Sequence, residues 1–126
     1  MARYGKTILI VEDDSETRLV LRRHLESFGY AVAEATNGQD AVDAARQDCP
    51  DLILMDLGLP EMDGFATARA IREIEELCKV PIVAITAYHA LGVAEAAREA
   101  GCNEYLTKPI DFDELETVVR QLTWGV

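Results

Sequence analysis

The chain has 126 residues, 49% of them hydrophobic, which fits a single domain over residues 1–126 with a full core. Twelve basic against 23 acidic residues give a formal net charge of −11, which repels phosphate backbones and argues against nucleic acid while suiting a site that collects a cation. No apolar run approaches the roughly 18 residues of a membrane span, and MARYGKTILIVEDD passes straight into acids without a cleavage pattern, so a soluble, unprocessed cytoplasmic protein with no membrane partner is expected.

The first element is the β-type run TILIV at 7–11. A helix starts near Ser15, with Leu19, Leu21, Leu25 and Phe28 as its apolar stripe and Gly29 as its stop. AVAEA at 31–35 is a weakly patterned second strand. The Asn37-Gly38 pair has the composition of a hairpin turn, but Ala41, Val42 and Ala45 follow at helical spacing, so Asn37 is read as a helix start. LILM at 52–55, PIVAI at 81–85 and EYL at 104–106 read as further strands, with helices over 64–77, 89–100 and 111–122, the last capped by Asp111. Cys49, Cys78 and Cys102 are odd in number, far apart and without a CxxC pair, so buried or half-buried thiols in a reducing compartment are expected, with no disulfide framework or zinc site. His24 and His89 lack a ligand-spaced partner and are expected at the surface. GKT at 5–7 matches the end of a phosphate-binding loop, but the upstream glycine is absent and a strand follows, so it is set aside.

A βα unit repeated five times, with near-continuous apolar strands, implies an α/β fold: a parallel sheet covered by helices on both faces. Ligands of such sheets sit beyond the carboxyl ends of the strands. The polar residues at those ends are Glu12, Asp13 and Asp14 after strand one, Asp56 after strand three, Thr86 after strand four and Lys108 after strand five. Like charges about 4 Å apart repel by about 4 kcal/mol at an effective dielectric near 20, so carboxylates gathered there favour a divalent ion between them. Oxygen ligands with room for water point to Mg²⁺, with Mn²⁺ as a substitute.

The segments ILIVEDD, DLILMDLGLPEMDG, PIVAITA and YLTKP, in this order and at these separations, resemble the receiver domain of two-component response regulators, over about residues 6–123. The resemblance implies a flavodoxin-like, doubly wound sheet of five strands in the order 2-1-3-4-5 with five helices, and Asp56 as phosphoacceptor. It implies Asp13 as a direct Mg²⁺ ligand, Glu12 as one acting through water and the Gly58 backbone carbonyl as a third. It also implies Thr86 as a switch hydroxyl, Lys108 as the phosphate-pairing lysine, Tyr105 as a switch aromatic and a cis Lys108–Pro109 bond. The expected partners are a histidine kinase or histidine phosphotransfer protein and an unidentified downstream protein, with the chain a monomer or weak dimer. No enzyme activity is expected beyond the protein's own phosphorylation and dephosphorylation. Gly58 and Tyr88 stand where relatives modulate the lifetime of the phosphoryl group, and a bulky Tyr88 predicts slow hydrolysis.

Plainer readings stand beside these. Asp14 alone is a helix cap. Thr86 alone is a satisfied strand-end hydroxyl, Lys108 alone a solvated lysine, and Tyr105 is equally a permanent core ring. Ala90, Ala94 and Ala97 either leave room for a partner or let their helix pack closely on the sheet. A receiver-like scaffold acting without phosphorylation is an alternative function. A phosphohydrolase with an aspartate nucleophile is another, but it requires a second aspartate where Gly58 stands. Nothing after Val126 resembles an output domain, so the chain is either a free-standing receiver or part of a longer protein.

Overall fold

The computed structural model describes residues 6–58, 63–87 and 92–125. Its strands are β1 (Thr7–Val11), β2 (Ala31–Ala35), β3 (Leu52–Asp56), β4 (Ile82–Thr86) and β5 (Glu104–Thr107). All pair in parallel, in the order β2-β1-β3-β4-β5. The helices are α1 (Ser15–Ser27), α2 (Gly38–Asp48), α3 (Gly64–Arg72), α4 (Val93–Ala100) and α5 (Phe112–Trp124).

Side chains alternate across a strand, so the apolar runs of β1, β3 and β4 feed two cores at once. Leu9, Val11, Ile53, Met55, Ile82 and Ala84 pack with α2, α3 and α4 on one face. Ile8, Ile10, Leu52, Leu54, Val83 and Ile85 pack with α1 and α5 on the other. β3 sits in the middle of the order, and every one of its residues, Asp56 included, is buried.

The starts of α1, α2, α3 and α5 are set by side-chain caps: Asp14 accepts from the Thr17 N–H, Asn37 from Asp40, Asp63 from Ala66, and Asp111 from Asp113 and Glu114. Asn37 therefore begins a helix as expected, and the cap of α1 is Asp14. Leu19 departs from expectation: it is 47% exposed, and the buried stripe of α1 is Leu21 and Leu25, with Phe28 half-buried. Cys49 and Cys78 are exposed and only Cys102 is buried, which corrects the expectation of sheltered thiols. Cys49 closes α2 in the left-handed conformation. His24 is half-buried, its ring stacked on Phe112 at 3.7 Å between centroids and bridging α1 to α5. His89 lies outside the described residues.

The helix expected over 64–77 stops at Arg72, and a short 3₁₀ turn covers Glu75–Leu77. Ile74 is extended, which breaks the α-helical ladder. Arg72 occupies the space so made. Its guanidinium donates to the carbonyl of Gly101 from Nε (3.0 Å) and Nη2 (2.7 Å), to those of Leu77 and Cys78 from Nη1, and to Asn103 Oδ1. Gly101 ends α4 at φ +109, and a Cβ there would stand 2.6 Å from Arg72 Cγ. Arg72 thus ties α3 to the α4–β5 turn. Arg72→Met is expected to cost about 2–4 kcal/mol, because it strands several sheltered carbonyls at once. Urea denaturation checks this, and a loss under about 0.5 kcal/mol would show that water replaces the guanidinium.

Candidate functional site

β1 delivers Glu12 and Asp13 to the carboxyl edge of the sheet. The Glu12 side chain is buried and Asp13 is exposed. The Glu12 N–H donates to the Ala35 carbonyl at 3.1 Å, and Glu12 Oε2 accepts from the Asp14 N–H at 3.1 Å. Asp14 itself is occupied by capping, its carboxylate accepting from both the N–H and the hydroxyl of Thr17. Those bonds hold its pKa below the usual range. The plain reading of Asp14 is therefore the one the structure supports.

Asp56 is the last residue of β3, and its Oδ1 accepts from the Gly58 N–H at 2.9 Å. The backbone beyond it is pinned by Leu57 N–H to the Ile85 carbonyl and Gly64 N–H to the Leu57 carbonyl. Gly64 is required at this point: a Cβ would stand 2.6 Å from both the Asp56 carbonyl oxygen and Leu57 Cα. The start of α3 therefore rests directly on the backbone that carries Asp56. The sequence marked Gly64 only as a helix start, since a close approach between backbones leaves no local pattern.

Lys108, just past β5, reaches back across the sheet edge. Its Nζ lies 3.1 Å from Glu12 Oε1 and 3.4 Å from Asp56 Oδ2. Thr86 is buried at the end of β4, and its carbonyl accepts from the Lys108 N–H at 2.9 Å, so these two residues share one anchoring bond. Tyr105 is half-buried against the core on the α2, α3 and α4 side. The Lys108–Pro109 bond is cis. Ala97 is fully packed in that core and Ala94 is half-buried, so Ala97 is not open to a partner. Tyr88 and Ala90 lie outside the described residues.

Glu12, Asp13 and Asp56 each place a carboxylate oxygen within 4.8 Å of the others. Burial pushes the Glu12 carboxyl from its ordinary 4.5 up to about 7, and the Asp56 charge adds to this against the opposing hydrogen bond from Asp14. Burial pulls the Lys108 ammonium down, but the Asp56 charge and the Glu12 bond outweigh it and its pKa is raised overall. Two of the three acids, Glu12 and Asp56, thus pair with the Lys108 ammonium. An oxygen-only set so close together fits a hard divalent ion such as Mg²⁺. Gly58, expected to offer its carbonyl, is exposed on the same rim. What the sequence did not reveal is the brace behind this turn. The Arg18 side chain donates to the Glu12 carbonyl and pairs with Glu34. The only available signal was a charged residue in the weak strand β2.

A five-stranded parallel sheet in this order, with two acids, a buried aspartate, a threonine and a lysine on one rim, agrees with the comparisons to known proteins. The family model described as the response regulator receiver domain matches residues 8–120, and the chain belongs to that family. It is 38% identical over 114 residues to the polar-differentiation response regulator DivK of Brucella anthropi, covering 90% of this chain and 93% of the relative. Among solved structures it resembles the receiver domain of the sensor histidine kinase PA1611 from Pseudomonas aeruginosa PAO1, which has a magnesium ion coordinated in its active-site cleft. There the TM-score is 0.89 and the identity 38%, over 97% of this chain and 99% of that one. The Mn²⁺-bound form of the response regulator Rcp1 matches at a TM-score of 0.83 and 26% identity, over 97% of each chain. Among the described residues, no helix is long and apolar enough to cross a membrane.

Proposed function

We propose that this receiver takes a phosphoryl group onto Asp56 from a phosphohistidine on a histidine kinase or histidine phosphotransfer protein, and that the modification changes which protein it binds. The observation that carries this is the Lys108 ammonium lying between Glu12 and Asp56 beside the three-acid cluster. An Asp56 carboxylate oxygen forms the new O–P bond as the donor's N–P bond breaks, and the imidazole leaves with the bonding pair. Lys108 is placed to pair with a phosphoryl oxygen, exchanging its present carboxylate partners for it. Asp13, Asp56, the Gly58 carbonyl and Glu12 would hold Mg²⁺, which would supply charge neutralisation when bound, and Mn²⁺ is the expected substitute. The metals named for the PA1611 receiver and Rcp1 support this choice.

Thr86 and Tyr105 are proposed to carry the signal onward. Thr86 pairs in register with Thr107 next to Lys108, and Tyr105 lies opposite Ala84 on the same pair of strands. A phosphoryl oxygen that attracts the Thr86 hydroxyl would move its loop and give Tyr105 a new packing position. The affected face is that of α4, β5 and α5. The protein acts on its own aspartate and turns over no separate substrate, as a cytoplasmic monomer or weak dimer. The phosphohydrolase alternative is disfavoured by Gly58, which offers no acid at the second position.

A phosphorylated histidine phosphotransfer domain plus Mg²⁺ is expected to pass one phosphoryl group to the protein. Steady release of phosphate from small phosphomonoesters would instead support the hydrolase. Thr86→Ala should keep phosphorylation largely intact while removing most of the change in partner affinity, a coupling of about 1–3 kcal/mol. Chemical-shift mapping that finds the α4–β5–α5 face responding equally in wild type and variant would exclude Thr86 from the relay.

A further inference from the structure

We infer that Arg18 is a positioning residue for the cation site, its guanidinium, braced by Glu34, holding the Glu12 carbonyl and so the turn that presents Glu12 and Asp13 to Asp56. The inference rests on the metal role proposed above. Arg18 stands at the end of the first turn of α1 and reaches back over the β1–α1 turn. Its Nη1 donates to the Glu12 carbonyl at 3.0 Å and its Nε to Glu34 Oε1 at 2.7 Å. The other Glu34 oxygen accepts from Arg22 Nη1, and Arg22 Nε reaches Glu26 Oε2 at 3.2 Å. Glu34 is therefore gripped from two sides.

The brace is tied to the sheet as well. Glu34 belongs to β2, where it lies opposite Ile10, and its neighbour Ala35 accepts the Glu12 N–H. The Glu12 backbone is thus held at its N–H by β2 and at its C=O by α1. Asp13 follows directly, so the direction of its side chain is set by the same peptide. No contact of the Arg18 side chain with Asp13 or Asp56 is needed for this.

Charge and position make opposite predictions here. Arg18 brings a positive charge near a site that gathers acids, so by charge alone its removal would tighten cation binding. If Arg18 acts by position, its removal weakens binding. Arg18→Lys separates the two further, because it keeps the charge while a single ammonium cannot reproduce the planar fork that serves Glu34 and Glu12 together.

The test is isothermal titration calorimetry of Mg²⁺ into wild type, Arg18→Met and Arg18→Lys, at a temperature where circular dichroism shows each protein folded. Both variants are expected to bind Mg²⁺ about tenfold more weakly or worse, the usual scale for losing a residue that orients a ligand. Affinity within about twofold of wild type, or tighter, in a folded variant would overturn the inference, and a lowered melting temperature alone would not sustain it. If Arg18→Met does not fold, Arg18→Lys decides, since it retains the stem and the charge. Absence of Mg²⁺ binding by wild type would instead overturn the metal role itself, and this inference with it.

Discussion

Asp56→Asn is expected to abolish phosphorylation. A small phosphodonor with Mg²⁺ should add one phosphoryl group to the wild-type protein and none to the variant, read by intact-protein mass spectrometry. The amide keeps the size of the side chain and still offers an oxygen to the Gly58 N–H that now bonds Asp56 Oδ1, so the local fold has little reason to change. What disappears is the nucleophile, since a neutral amide oxygen does not form a stable O–P bond. Two neighbouring acids are committed elsewhere: Asp14 caps α1 through Thr17, and Glu12 is turned to Asp14 and Lys108. Modification of the variant to the wild-type extent would remove Asp56 from its assigned role.

The second large effect is on stability. With Glu12, Asp13 and Asp56 placing oxygens within 4.8 Å of one another, an ion that binds only the folded chain should stabilise it. At a free concentration one hundred times the dissociation constant the gain is about 2.7 kcal/mol, or about 10 °C in melting temperature for a domain of this size. Asp13→Ala should lose most of that response. It should also slightly raise the stability of the metal-free protein, because one carboxylate leaves a like-charged cluster.

The pH dependence follows from Glu12. A carboxyl whose folded pKa is raised favours its neutral form in the folded chain, so without metal this group costs stability as pH rises from about 4.5 through about 7. Metal binding needs the charged form, so the Mg²⁺ shift should grow over the same range. Equal Mg²⁺ shifts in wild type and Asp13→Ala at the upper end of that window, where Glu12 is charged, would contradict Asp13 as a ligand.

The central strands were easy to read because burial on both faces leaves continuous apolar runs, and β1, β3 and β4 are those runs. β2 carries Glu34 at an outer position and β5 is short, so both were faint although both form. The rim residues were legible because the fold rule that places sites at the carboxyl edge selects Glu12, Asp13, Asp56, Thr86 and Lys108 from scattered positions. Arg72 shows where that reading ends. Three of its five hydrogen bonds run to Gly101 and Asn103, distant in sequence, which leave no local pattern, and the expected helix runs past the point where Ile74 breaks it. Leu19 and His24 failed for a related reason: helical periodicity gives a stripe but not its centre, and the stacking of His24 on Phe112 depends on how α5 docks.

The claim that Asp56 is the phosphoacceptor is tested most directly by reducing the phosphorylated protein with borohydride, which converts an acyl phosphate to an alcohol, and locating the altered residue by peptide mass mapping. The account predicts reduction at position 56 alone, dependent on prior treatment with phosphodonor and Mg²⁺. Reduction at Glu12 or Asp13, or a phosphoryl group that resists borohydride because it sits on a hydroxyl such as Thr86, would contradict it.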